Sequence, residues 1–178
     1  IYLEGTDRLR IVNNLIGKCD KAGFFAKVVA FRLMPKRGGT SRENKFFNNL
    51  FYECGEAAVI LPNQHNELDR NAYAKMPPGY LRVMYPEPEM CLDLETWREF
   101  CGFDKAGCEC DMEIDINSED LTMEVTINTE LPEVKADEKV STDYFGENTE
   151  GLRMPGPINN LVSGTKLRFN IDPRKTQE

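Results

Sequence analysis

The chain has 178 residues, of which 40% are hydrophobic and 29% charged, an ordinary balance for a globular protein with room for one core and a small appendage. No apolar run approaches the ~20 residues of a bilayer-spanning helix, so no membrane partner is expected. Residues 1–85 carry 13 Lys/Arg against 8 Asp/Glu and residues 86–178 carry 9 against 22, and so acidic a second half argues against a nucleic-acid partner.

The first predicted elements come from a repeat. Val12-Asn13-Asn14-Leu15-Ile16-Gly17-Lys18-Cys19 matches Phe47-Asn48-Asn49-Leu50-Phe51-Tyr52-Glu53-Cys54 at an offset of 35 residues, with both asparagines, the leucine and the cysteine identical. A weaker echo, Asp69-Arg70-Asn71-Ala72-Tyr73, follows Asn49 by 22 residues. Internal periods of this size mean stacked supersecondary units. Met34 to Arg42 is rich in turn formers and charge without apolar alternation, and reads as a loop. With it removed, each unit has roughly 22–25 residues, the size of one solenoid coil. Within a unit the order is strand (Lys45-Phe46-Phe47), asparagine corner, strand (Leu50-Phe51-Tyr52), glycine corner at Gly55, then strand (Ala57 to Leu61). Asn tolerates the left-handed backbone of a corner, and stacked amides can form a hydrogen-bonded ladder. Cys19 and Cys54 then stack as small fillers, with a reactive thiol pair as the rival reading.

Met76-Pro77-Pro78-Gly79 marks a boundary, dividing the chain into 1–78 and 79–178. Asp93 is a good N-cap for a short helix carrying Leu94, Trp97, Phe100 and Cys101 at helical spacing, stopped by Gly102. Its Trp97 is expected to pack over the open end of the solenoid, a sugar-stacking role being the alternative. Met112, Ile114 and Ile116 alternate with Glu113 and Asp115, turn at 117–120, and return through Leu121, Met123, Val125 and Ile127 as a hairpin with one acidic face. Residues 130–143 read as loop or exposed strand, and Lys166 to Ile171 adds a last strand.

Asn44 to Val59 resembles the closing coils of pectate-lyase-like, right-handed parallel β-helix proteins. Leu92 to Asp104, Asp143-Tyr144-Phe145-Gly146 and Met154-Pro155-Gly156-Pro157-Ile158 are similar to segments that follow the helix in that family. The resemblance implies a mainly β fold: a truncated right-handed parallel β-helix of about two to three coils, one short capping helix and a small C-terminal antiparallel β subdomain. It implies fold more strongly than function.

The resemblance also implies a polysaccharide or oligosaccharide partner bound along the lateral face of the coils. Glu53, Glu56 and Asp69 fall near corners of consecutive coils, with His65 between them. Neighbouring rungs are ~4.8 Å apart, and paired carboxylates about 5–10 Å apart suit glycosidic acid–base chemistry. Glu56 and Asp69 are therefore the catalytic candidates, with Glu53, His65 and Arg70 as substrate contacts. A polysaccharide lyase would need a calcium loop or basic clamp, and residues 1–75 hold no such acidic cluster. Cys101, Cys108 and Cys110 fit no zinc spacing and the single histidine is distant, so no metal and no cofactor are expected. The six cysteines read as mostly free thiols of a reduced or anaerobic setting. Nothing in the sequence sets the compartment. The chain begins at Ile1 without a visible signal peptide and reads as a piece of something longer. Two functions follow: a glycoside hydrolase fragment, or a non-catalytic module that caps the solenoid, binds glycan or mediates assembly. An unpaired first coil invites edge pairing, which makes a homodimer through that coil an open alternative.

Overall fold

A computed structural model of the chain describes residues 1–4, 6–19, 32–34, 41–60, 65–84 and 89–174. The loop expected between 34 and 42 falls largely outside the described residues, as does Leu61.

The described residues are mainly β with one helix. Short strands come in sets: β1 (Tyr2–Glu4), β2 (Arg10–Val12) and β3 (Leu15–Gly17), then β4 (Arg32–Met34), β5 (Lys45–Phe47) and β6 (Leu50–Tyr52), then β7 (Ala58–Ile60), β8 (Glu67–Asp69) and β9 (Ala72–Ala74). After β10 (Leu81–Val83) and β11 (Met90–Leu92) come the helix α1 (Leu94–Cys101) and β12 (Cys108–Cys110). The chain visits three sheets in rotation, and each return pairs in parallel with the strand left one visit earlier. The first sheet is ordered β1-β4-β7-β10-β11, the second β2-β5-β8, and the third β12-β9-β6-β3. Within these three sheets, among the described residues, β11 alone runs antiparallel to its neighbour. This arrangement is compatible with the β-helix expected from the repeat. The composition break near residue 78 falls inside the sheets, since β10 pairs with β7 and β12 with β9.

The register explains the two sequence offsets. Leu15 lies against Leu50 and Leu50 against Ala72, steps of 35 and 22 residues. Asn13, Asn48 and Arg70 occupy one corner column, all with positive φ of 58–61°. Two further columns share that backbone state: Arg8, Glu43 and His65, and Lys18, Glu53 and Lys75. The second asparagine of each pair builds the ladder. Asn14 N–H and Nδ2 both donate to Asn49 Oδ1 at 3.1 and 2.9 Å, and Asn49 N–H and Nδ2 to Asn71 Oδ1 at 2.9 and 3.1 Å. A parallel ladder runs from Leu9 N–H to Asn44 and from Asn44 to Asn66.

Side-chain alternation divides the apolar residues into two cores. Phe46, Phe51, Ile60, Leu68, Tyr73, Leu81 and Trp97 fill the space among the three sheets, where the Phe51 and Tyr73 rings stack at 5.3 Å. The other face of the third sheet, carrying Leu50, Tyr52, Ala72 and Ala74, packs on Met112, Ile114, Val125 and Ile127. Those residues belong to an antiparallel sheet of β13 (Met112–Asn117), β14 (Thr122–Ile127) and, after the short pair β15 (Val134–Lys135) and β16 (Leu152–Arg153), β17 (Lys166–Asn170).

Asp93 caps α1 by accepting from Thr96 N–H, and Gly102, at φ 72°, ends it. Trp97 is fully buried, as expected of a residue closing the core. The loop after α1 returns tightly. A Cβ on Gly107 would lie 2.9 Å from the Asn71 carbonyl oxygen and 3.0 Å from Asp104 Cβ. Gly107→Ala is therefore expected to cost about 1–3 kcal/mol of stability, measured by urea unfolding followed through Trp97, the only tryptophan.

Candidate functional site

Two cavities flank the β13–β14 hairpin. One, of about 280 Å³, is mostly apolar, with Leu15, Leu50, Ile114, Met123 and Phe169 among its walls. The other, of about 350 Å³, is polar and lies where the third corner column meets the β13–β14 hairpin. Lys18, Tyr52, Glu53 and Lys75 line it from the parallel sheets, and Glu113, Ile114, Asp115, Glu124 and Thr126 from the hairpin.

The local sequence explains the convergence. Lys18, Glu53 and Lys75 hold the same left-handed corner in consecutive units, so their side chains leave the stack at one lateral edge. In β13, buried Met112 and Ile114 alternate with exposed Glu113 and Asp115, and the pairing of Glu113 with Thr126 and Asp115 with Glu124 puts these residues in facing positions. Tyr52 joins the halves: its phenol oxygen accepts from Ile114 N–H at 3.1 Å.

Charge is dense here. Lys75 is ion-paired with Glu113, Lys18 lies 4.0 Å from Glu53, and Lys166 reaches Glu124 at 2.7 Å. The Lys18 and Lys75 ammonium groups lie 5.9 and 5.8 Å from the centre of the Tyr52 ring. The hydrogen bond to Glu113 is the main cause holding the Lys75 ammonium above its ordinary pKa. Glu53, Glu113, Asp115 and Glu124 outnumber the lining lysines, so the cleft is net acidic. Tyr52 itself is buried, so what the cleft offers a ligand is its rim of carboxylates and ammonium groups, which can hydrogen-bond the vicinal hydroxyls of a polyol.

Of the residues singled out from sequence, Glu53 lies in this cleft. Glu56 lies before β7, where Arg82 Nη1 meets it at 3.1 Å and also meets Glu89 at 3.3 Å. Asp69 ends β8, and its Oδ1 accepts from Arg70 and Ala106 N–H, both at 2.9 Å. Arg70 lies 4.3 Å over the Phe47 ring and donates to the Lys135 carbonyl. His65 is exposed on the first corner column. Asp69 and Arg70 are thus neighbours, while among the described residues no hydrogen bond or ion pair joins Glu56 to Asp69. Lys18, Tyr52, Lys75, Glu113, Asp115 and Glu124 were not singled out from sequence. The offsets of 35 and 22 residues, applied to Glu53, lead to Lys18 and Lys75, a signal the asparagines drew attention away from.

Among the described residues, no three His, Cys, Asp or Glu side chains converge as a metal site, and no helix is long and apolar enough to cross a membrane. No known protein family, curated protein or solved structure gives a significant match to the chain.

Proposed function

We propose that the parallel sheets are closing coils of a right-handed β-helix of the pectate-lyase-like kind, and that this end of the protein caps the coils and binds a saccharide in the Tyr52 cleft. The rotation through three sheets with a 22-residue step and the stacked asparagines support the solenoid reading. The single observation that carries the glycan reading is the convergence of Lys18, Glu53, Lys75 and Glu113 about the Tyr52 ring in one cleft. Its net acidic character favours a neutral, hydroxyl-rich chain over a polyuronide.

Binding is favoured over hydrolysis within this chain. Glu56 is engaged by Arg82 and Asp69 Oδ1 by two backbone N–H groups, and no hydrogen bond or ion pair among the described residues brings the two carboxylates together.

The test is affinity electrophoresis and calorimetry against a panel of neutral and acidic polysaccharides, with reducing-end release measured on the same samples. At least one neutral glycan is expected to bind, and the double variant Glu53→Gln/Lys75→Ala to weaken binding about 10-fold or more with an unchanged melting temperature. Unaltered binding by a folded double variant, or no binding by any glycan, would overturn the cleft assignment. Reducing ends lost with Glu56→Gln or Asp69→Asn would restore the hydrolase reading.

A further inference from the structure

Cys19 and Cys54 follow β3 and β6 in the same position of consecutive units, 35 residues apart. The Lys18 N–H donates to the Tyr52 carbonyl at 2.9 Å, which holds the two chain segments in register up to the cysteines. The sulfurs are 3.5 Å apart. Strands stacked in parallel lie ~4.8 Å apart, inside the Cα separation that a disulfide spans, so rotation about the two Cα–Cβ bonds suffices to join them. Cys54 is fully buried, its sulfur also within 3.4 and 3.5 Å of the Ile16 and Tyr52 carbonyl oxygens, whereas Cys19 is half-buried and open to solvent.

We propose that Cys19 and Cys54 are an oxidisable pair that closes into a disulfide between successive units, with a hydroperoxide as the oxidant. The Cys19 thiolate attacks the peroxide, the O–O bond breaks, a sulfenic acid forms on Cys19, and the departing hydroxide takes a proton and leaves as water. The Cys54 sulfur then displaces the sulfenic hydroxyl, which leaves as a second water with the Cys54 proton. Two electrons pass from the two thiols to one peroxide. A dithiol reductant reverses the closure. The roles follow from position, since the solvent-facing sulfur meets the peroxide and the enclosed one resolves it.

The electrostatics agree. The hydrogen bond from Cys54 brings the Cys19 thiol down to about 7, and the same bond with burial pushes Cys54 up. Burial raises Cys101, Cys108 and Cys110 to about 11, 11 and 12. Cys19 is thus set apart from these three as the nucleophile. This inference is independent of the glycan reading.

The test uses the full chain, reduced and then treated with hydrogen peroxide under native conditions, quenched with N-ethylmaleimide and mapped by mass spectrometry. The expected product has lost two hydrogens, about 2 Da, and yields a peptide joining Cys19 to Cys54 that dithiothreitol separates. Because the bridge closes a long loop, the melting temperature should rise by on the order of 10 °C. In Cys54→Ser, dimedone should capture a sulfenic acid on Cys19 ahead of exposed Cys91. The proposal is overturned if both thiols are alkylated by maleimide when the oxidised chain is unfolded in its presence, if Cys91 alone reacts with peroxide, or if the Cys19–Cys54 peptide forms only when oxidation is done in urea.

Discussion

Asp104→Ala is expected to lower stability by roughly 3 kcal/mol, because the carboxylate is the common acceptor for three side chains that close the core. Asp104 is fully buried. Its Oδ1 accepts from Asn71 N–H at 3.2 Å and Asn71 Nδ2 at 2.7 Å, and its Oδ2 from the Tyr73 hydroxyl at 2.8 Å and Trp97 Nε1 at 3.2 Å. An asparagine at this rung would offer a further amide N–H onward. A carboxylate accepts without offering an N–H onward, and so terminates the ladder where α1 covers it. Truncation strands the Tyr73 and Trp97 donors in a dry core, and each orphan costs about 1 kcal/mol or more. Asp104→Asn should cost less, about 1–2 kcal/mol, since Oδ1 survives and only the Trp97 bond is lost outright. Urea unfolding read by Trp97 fluorescence measures both, and an Ala variant within 0.5 kcal/mol or so of the parent would show that these bonds do not hold the cap.

The parent also differs from both Asp104 variants in its pH dependence, since neither variant carries the titrating carboxyl. Burial raises the Asp104 pKa above the ordinary carboxylate value, against the opposing pull of Tyr73, Asn71 and Trp97. The folded chain therefore keeps this proton to higher pH than the unfolded chain does. The resulting stabilisation is complete below the unfolded value and is lost as pH rises through the folded one. The stability advantage of the parent over Asp104→Asn should accordingly narrow as pH is raised from about 4 to about 7.

The legible parts of this molecule are those whose physics repeats along the chain. Asn13 and Asn48 are short polar residues set between three-residue strands, and the offset between them is the register of the parallel pairing itself. The helix was readable from Asp93, Trp97 and Gly102, because caps and apolar spacing are local. Asp104 was not singled out: it follows Asn71 by 33 residues rather than 22, across a helix, and is chemically unlike the rungs before it. The Asn44–Asn66 ladder hid for a related reason, since its first rung is the backbone N–H of Leu9, which no side chain announces. The polar cleft depends on a hairpin docking back on a corner some 60 residues earlier, as Tyr52 and Ile114 show, and the acidic face of that hairpin reads as solvated until the docking is known.

Adjacent, equally buried asparagines give the sharpest test of the ladder. Asn49→Ala is expected to cost about 3 kcal/mol, whereas Asn48→Gly should stay within about 1 kcal/mol of the parent. Asn48 supplies the corner: its φ is 58°, its Nδ2 makes one bond, to the Lys135 carbonyl, and its Oδ1 is buried without a partner among the described residues. Glycine adopts that backbone freely and removes the stranded oxygen, which offsets the lost bond. Asn49 lies one residue on and does the opposite work. It receives Asn14, reaches Asn71, and donates its second Nδ2 hydrogen to the Ile11 carbonyl at 3.0 Å. Its removal leaves the Asn14 N–H and the Ile11 carbonyl without that partner, at a point where one strand pair rests on the next. Because Asn71 and Asp104 lie on the same ladder, Asn49→Ala combined with Asp104→Ala should cost less than the sum of the two, as residues of one network do. Strict additivity would mean that the rungs act singly, and a larger loss at Asn48 than at Asn49 would place the stabilisation in the corner rather than in the stacked amides.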